Sequence, residues 1–132
     1  MIDAEHVQTT RQELIFQLRS GDAHQSFSDA VADFPAEAIN VRPANVGYSF
    51  WHLVEHVRYC QRDMLDYLRE PGYEAGRFPD DYWPSPDSTA SEDQWHDSVA
   101  RFLADLDEVE SFVMDPSTDL WRPAPWAWEP GH

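Results

Sequence analysis

Residues 49–68 read SFWHLVEHVRYCQRDMLDYL and carry the clearest helical pattern of the 132-residue chain. Apolar side chains recur at intervals of three and four residues, the spacing of one face of an α-helix. These residues are Phe50, Leu53, Val54, Val57, Cys60, Met64, Leu65 and Leu68. Ser49 is a suitable N-cap, and Pro71-Gly72 ends the pattern. The stretch therefore predicts a long amphipathic helix.

Towards the N-terminus, two further segments show the same spacing. Residues 3–19 repeat it with Val7, Leu14, Ile15 and Leu18, which predicts a helix. A shorter stretch runs from Phe27 to Phe34, where Pro35 stops it, and Gly21 marks a break between the two segments. Alternation with a period of two, typical of β-strands, is absent over any useful length.

Towards the C-terminus, Ser91 and Gln94 form the capping-box pattern that opens a helix. Another long apolar stripe follows, and Asp115-Pro116 closes it. Its members are Trp95, Val99, Phe102, Leu103, Leu106, Val109 and Val113. The fold class predicted for the chain is therefore all-α.

Two segments do not fit a long regular helix. Residues 72–90 form a proline-rich, aromatic loop that is longer than most bundle connections, and such loops are often functional. Residues 117–132 hold Trp121, Trp126 and Trp128 among prolines. Because large indole rings need cover, we expect this tail to lie against the bundle or against a partner.

The composition excludes several classes of function. Twenty-five acidic residues stand against nine arginines and no lysine, giving a formal charge of −16. Such a charge repels phosphate backbones and anionic lipids, so neither a nucleic-acid nor a membrane partner is expected. The N-terminus is acidic where a signal peptide would be basic, and the single Cys60 forms no internal disulfide. A cytoplasmic protein with one domain over residues 1–132 is predicted.

Two histidines lie on the predicted 49–68 helix. His52 and His56 are four residues apart and occupy neighbouring turns of one face. His56 also follows Leu53 by three residues and precedes Cys60 by four, so we expect its imidazole to project into the interior where the helices converge. Metal sites of helical bundles are built there. The spacing alone leaves metal ligation and a hydrogen-bonded core histidine both open for His56.

Other polar residues are weaker candidates. His24 precedes Phe27 by three residues, on the apolar side of its segment, and is a candidate second ligand or a polar core group. His52 is expected to face outward or to cap its helix, with metal ligation as the lesser alternative. A Cys60–His56 nucleophilic pair is conceivable, but no neighbour stabilises a thiolate, which favours a buried structural cysteine. The remaining histidines are predicted at the surface or near the termini: His6, His96 and His132.

The segment WHLVEHV, residues 51–57, resembles the helix-two signature of the DinB/YfiT-like family, in which a tryptophan is followed five residues on by a metal-binding histidine. The segments DAHQSF, residues 22–27, and VADFP, residues 31–35, are similar to one branch of the same family. The aromatic, proline-rich 72–90 loop also matches. The resemblance extends from about Thr9 to the end of the chain.

This resemblance implies an up-down-down-up four-helix bundle that holds a divalent metal, zinc or nickel, on three histidines. His56 takes the position of the helix-two ligand. The family's H-x-x-x-H pair on its last helix has no counterpart before His132, so a bundle truncated to about three long helices plus a Trp/Pro-rich tail is expected. A tetrahedral catalytic centre needs about three protein ligands, and His24 and His52 are the available substitutes.

Three hypotheses follow. The first is a metal-dependent enzyme of the thiol-dependent transferase or hydrolase type, acting on an undetermined small molecule and impaired without the last helix. The second is a non-catalytic bundle that binds a partner or itself, since three amphipathic helices leave an apolar strip exposed; a homodimer is expected. The third is a helical domain with a core histidine and no site.

Overall fold

A computed structural model describes residues 3–20 and 25–123 of the chain. Its α-helices are α1 (Ala4–Ser20), α2 (Phe27–Val31), α3 (Phe50–Arg69) and α4 (Glu92–Met114). Short 3-10 helices span Ala36–Ala38 and Asp80–Tyr82. Since these residues contain no β-strand, the all-α prediction is confirmed. None of the helices in this part of the chain has the length and apolarity needed to cross a membrane.

Both predicted capping sites open the helices expected of them. The Ser49 hydroxyl accepts from the His52 N–H at 3.2 Å, and His52 Nδ1 accepts from the Ser49 N–H at 3.0 Å. Ser91 and Gln94 make the equivalent pair of bonds at 3.1 and 2.8 Å. Each box satisfies two backbone donors that a helix start otherwise leaves without partners. In α3 a histidine takes the place usually held by glutamate or glutamine.

Helix α2 is shorter than the apolar spacing predicts. Ala32 is extended and Asp33 has φ 51°, a left-handed conformation that ends the helix before Pro35 is reached. The turn still leaves Phe34 half-buried against the core, where its ring stacks on Trp95 at 4.8 Å. The apolar spacing thus identified residues that pack against the core but extended the helix too far.

The core lies mainly between α3 and α4. One cluster joins Trp51 and Val54 of α3 to Trp95 of α4 and to Ile39; Trp95 and Ile39 are each 2% exposed. A second cluster joins Leu65 of α3 to Val109 and Val113 of α4. Ile15 of α1 packs against it. The two clusters hold opposite ends of the helix pair together.

Helix α1 is attached to α4 largely by arginines. Arg11 is buried and donates to the Val113 carbonyl and, at 2.6 Å, to the Thr118 carbonyl beyond the end of α4. Near the other end of α1, Arg19 donates to Glu110 at 2.8 Å and to Asp107 at 2.5 Å. These bonds satisfy carbonyls at the helix end and carboxylates along its surface.

One face of α3 remains uncovered by the described residues. It consists of Leu53, Val57, Cys60 and Met64, the α3 stripe, whose members share a face because they are three or four residues apart. Leu53 is 38% and Met64 50% exposed, Cys60 is exposed, and Val57 is half-buried. The apolar pattern of α3 is therefore wider than the face that its neighbours bury.

In the tail, Trp121 is 50% exposed, and Trp126 and Trp128 lie outside the described residues.

Candidate functional site

The 72–90 loop runs back along one side of α3 and is tied to it at three places. In chain order, the Tyr73 hydroxyl donates to Asp63 at 2.6 Å, His56 Nδ1 donates to the Tyr82 carbonyl at 2.6 Å, and His52 Nε2 donates to the Ser88 carbonyl at 2.9 Å. Burial, together with the hydrogen bond to Asp63, raises the pKa of Tyr73, so its hydroxyl stays protonated as a donor. The loop therefore covers the histidine-bearing side of the helix.

His56 is half-buried beneath this loop. The Trp83 indole stacks on its imidazole with ring centres 3.7 Å apart and planes inclined by 7°. The ring was expected to project into the space where the helices converge. Instead the contacts that cover it come from Tyr82 and Trp83 of the 72–90 loop. This expectation about its surroundings was wrong, although the ring is still shielded from bulk water on one face.

The bond to Tyr82 decides which ring nitrogen of His56 is available. Because a carbonyl oxygen only accepts, Nδ1 carries the proton in this bond. In a neutral imidazole the other nitrogen, Nε2, then carries a lone pair, and the Cys60 sulfur lies 3.7 Å from it. Metal-ligating histidines are commonly oriented in this way, with the second ring N–H donated to a backbone carbonyl or a carboxylate. His56 is thus prepared to bind through Nε2.

His52 is not prepared in the same way. Its side chain is buried, with only 3% of the residue exposed, so the expectation that it faces outward was wrong while the capping alternative was right. Nδ1 accepts from Ser49 and Nε2 donates to the Ser88 carbonyl, so both nitrogens are occupied. Ligation of a metal would break one of these bonds. In this structure His52 links the start of α3 to the loop.

Cys60 is exposed, which corrects the prediction of a buried structural cysteine. Its sulfur lies 3.7 Å from His56 Nε2 and 3.8 Å from Nδ1. Partial burial, with a smaller contribution from the charge of Asp63, raises the pKa of the thiol. A raised pKa keeps the thiol protonated near neutral pH, so the arrangement does not activate Cys60 as a nucleophile.

A buried ion pair within α3, which Ser98 of α4 joins by a hydrogen bond, was not anticipated from the sequence. Arg58 Nε donates to Glu55 Oε2 at 2.5 Å, and the Ser98 hydroxyl donates to the same oxygen at 2.9 Å. The Glu55 side chain is 10% exposed and the Arg58 side chain is 8% exposed. Glu55 follows Trp51 by four residues and Arg58 follows Val54 by four, so helical spacing does place them on the buried face.

The remaining candidates do not meet His56 in the described part of the chain. His96 is exposed beside Glu92, and His6 is exposed beside Asp3, as predicted for surface positions. His24 and His132 lie outside the described residues. Within residues 3–20 and 25–123, no three side chains of histidine, cysteine, aspartate or glutamate converge as a metal site would require. His56 fits a metal as one ligand, but these residues do not complete a three-ligand centre.

The sequence was compared with known families, curated proteins and solved structures. The family model described as the DinB superfamily matches residues 21–130, which includes α2, α3, the 72–90 loop and α4. Neither the curated proteins nor the solved structures gave a match. The family match agrees with the all-helical fold, and the DinB superfamily is often metal-associated.

Proposed function

The chain belongs to the DinB superfamily, and from this membership we propose that it is a divalent-metal-binding protein in which His56 supplies one ligand. The observation that carries the proposal is the 2.6 Å bond from His56 Nδ1 to the Tyr82 carbonyl, which leaves Nε2 as the nitrogen with a lone pair, 3.7 Å from the Cys60 thiol. The stacked Trp83 ring supports it by holding the imidazole plane in place. Zinc and nickel are the proposed ions, because imidazole nitrogen suits both.

The proposed chemistry is that of a thiol-dependent transferase or a hydrolase acting on a small molecule. A divalent metal supplies Lewis acidity and lowers the pKa of a bound water or thiol. We assign no reacting groups, because the described residues bring only His56 to the site in a ready form. His24 stays a predicted second ligand. His52 is proposed to anchor the loop, since both of its nitrogens are already bonded.

Replacing His56 by alanine is expected to weaken Zn²⁺ and Ni²⁺ binding by at least about tenfold. Losing a group that merely orients a ligand already costs 10- to 100-fold, and this change removes the ligand itself. Isothermal titration of each ion into the full-length chain measures the effect.

The matched control is His96→Ala. His96 is also a helix histidine, but it is exposed beside Glu92. Its removal should leave affinity unchanged. Equal affinities for the unaltered chain and His56→Ala would remove the ligand assignment.

A second candidate function is non-catalytic self-association through the α3 stripe. The exposed Leu53 and Met64 favour it, because a contiguous apolar patch on a protein surface usually contacts a partner. In this case Met64→Glu is expected to lower the fraction of dimer, measured by light scattering at micromolar concentration. Phe16→Glu on α1 is the matched control, since Phe16 is 49% and Met64 50% exposed. A monomeric mass for the unaltered chain would contradict this candidate.

A further inference from the structure

A small cleft lies between α3 and the 72–90 loop, and charged side chains make up much of its lining. Its volume is about 190 Å³, below the range of roughly 300–1,000 Å³ that is typical of pockets for drug-sized molecules. The charged residues of the lining are two arginines and three aspartates: Arg58, Arg62, Asp63, Asp66 and Asp81. A ligand that fits this cleft is therefore small and polar.

Arg58 differs from the other lining residues because it is a buried cation with unused donors. Its side chain is only 8% exposed, and its Nε donates to Glu55. In the described part of the chain, neither Nη atom of Arg58 donates a hydrogen bond. Among the same residues, Arg69 Nε is the only buried side-chain nitrogen or oxygen without a partner. The Nη atoms of Arg58 therefore still reach solvent, and Arg58 does so where it lines the cleft.

The unused edge of the Arg58 guanidinium suits a carboxylate. Two Nη atoms of one arginine form a planar pair that matches the two oxygens of a carboxylate. The Tyr59 ring packs against the guanidinium, with its centre 4.5 Å from Cζ, and restricts its movement. A buried charged donor gains from an acceptor because leaving it unsatisfied away from water is costly. Arg58 is thus oriented to hold a carboxylate that enters the cleft.

Aspartates add negative charge to the same lining. Asp66 already forms an ion pair at 3.1 Å, and Asp63 accepts the Tyr73 hydroxyl. Asp81 is exposed, and within the described residues its carboxylate accepts one backbone N–H, that of Arg77, through Oδ2. Asp81 therefore has the greatest remaining capacity to accept from a cationic group of a ligand.

We propose that this cleft binds a small aminocarboxylate, a molecule with one carboxylate and one protonated amine, through Arg58 and Asp81. A simple anion is repelled by the three aspartates and by the formal charge of −16. A simple amine leaves the Nη donors unused. An aminocarboxylate satisfies both kinds of group and has no net charge at neutral pH, so the field of the whole chain does not oppose its entry. This binding site goes beyond the proposed metal binding and does not depend on His56.

Isothermal titration of the full-length chain at low salt, after a chelating resin has removed metal ions, tests the proposal. The aminocarboxylates are glycine, β-alanine and γ-aminobutyrate, whose two charges lie progressively further apart, and butyrate and propylamine carry one charge each. We expect the best of the three to bind at one per chain and at least about tenfold more tightly than butyrate or propylamine, because it makes an additional charged hydrogen bond. An equal affinity for butyrate or for propylamine, or no binding of any aminocarboxylate, overturns the proposal.

Two variants test the assigned residues. Combining Glu55→Leu with Arg58→Met removes the Nη donors, refills the buried space and keeps the net charge of the chain, and it should weaken binding at least about tenfold. Asp81→Asn should also weaken binding. Its matched control is Asp87→Asn, since Asp87 is exposed on the same loop and does not line the cleft. Far-ultraviolet circular dichroism verifies that each variant retains its helices. Unchanged binding by the double variant, or equal effects of the two asparagine variants, overturns the assignment.

The outcome is separable from that of the proposed function. These titrations contain no metal, whereas the role of His56 is decided by titration with Zn²⁺ and Ni²⁺. Failure of aminocarboxylate binding leaves His56 as a proposed metal ligand, and failure of metal binding leaves the cleft as a proposed aminocarboxylate site.

Discussion

Replacing Trp95 by alanine is expected to lower the free energy of unfolding by about 3–5 kcal/mol, the usual cost of removing a large aromatic side chain from a core. Trp95 is 2% exposed and lies in the cluster that joins α3 and α4. Its ring stacks on Phe34 at 4.8 Å, so the change also releases the segment that follows α2. Because a whole domain is stabilised by only about 5–15 kcal/mol, partial unfolding at room temperature is expected.

Urea denaturation followed by far-ultraviolet circular dichroism measures this loss. Trp121→Ala is the matched control, since Trp121 is 50% exposed and a surface change should stay within about 0.5 kcal/mol. A loss below about 1 kcal/mol for Trp95→Ala would contradict the arrangement in which α4 packs on α3 through this ring. Trp95→Phe keeps most of the volume and should give an intermediate value.

The helices were predictable because their signals are local. The backbone donors at the start of α3 and of α4 are satisfied by side chains no more than three residues away: Ser49 in α3, and Ser91 and Gln94 in α4. The sequence alone therefore indicates where each of these helices begins. The end of α2 was not predictable in the same way. A left-handed turn at Asp33 ends it, and the next residue, Phe34, packs on Trp95 of the distant helix α4. Local spacing cannot include such a contact.

The orientation of α3 was harder to predict than its existence. Its apolar residues extend around a wide arc, and periodicity alone does not say which part of the arc meets α4. The structure buries the part with Trp51, Val54 and Leu65 and leaves Leu53 and Met64 exposed. Tertiary packing therefore placed polar side chains where the pattern favoured apolar ones, and it placed Cys60 at the surface.

The candidate site shows the same division between local and distant information. His56 was a candidate because its five-residue distance from Trp51 resembles the family signature, and that spacing lies within one helix. Its partners were not, because the Tyr82 carbonyl is 26 residues away and every residue carries a carbonyl. The aromatic composition of the 72–90 loop suggested a cover, but only the three-dimensional structure shows that Trp83 lies on the imidazole.

Replacing Glu55 by alanine is expected to destabilise the fold by about 3–5 kcal/mol, as much as Trp95→Ala, although a surface position would predict almost no effect. The change leaves the Arg58 guanidinium, 8% exposed, without its carboxylate, and it also removes the acceptor of the Ser98 hydroxyl. An unpaired buried charge is costly because the protein interior screens it poorly. Glu55→Gln, which keeps the shape and an acceptor oxygen, should cost less.

A double-mutant cycle distinguishes the cost of an unpaired charge from the value of the pair. Combining Glu55→Leu with Arg58→Met removes both charges and refills the space, so the double variant should be more stable than Glu55→Ala and close to the unaltered chain. Urea denaturation of the unaltered chain, Glu55→Leu, Arg58→Met and the double variant supplies the free energies of the cycle, and Glu55→Ala is measured beside them. If the double variant is as unstable as Glu55→Ala, the loss comes from packing between α3 and α4, and the ion pair is not the cause. If it recovers, the pair is tolerated in the core because each charge requires the other there.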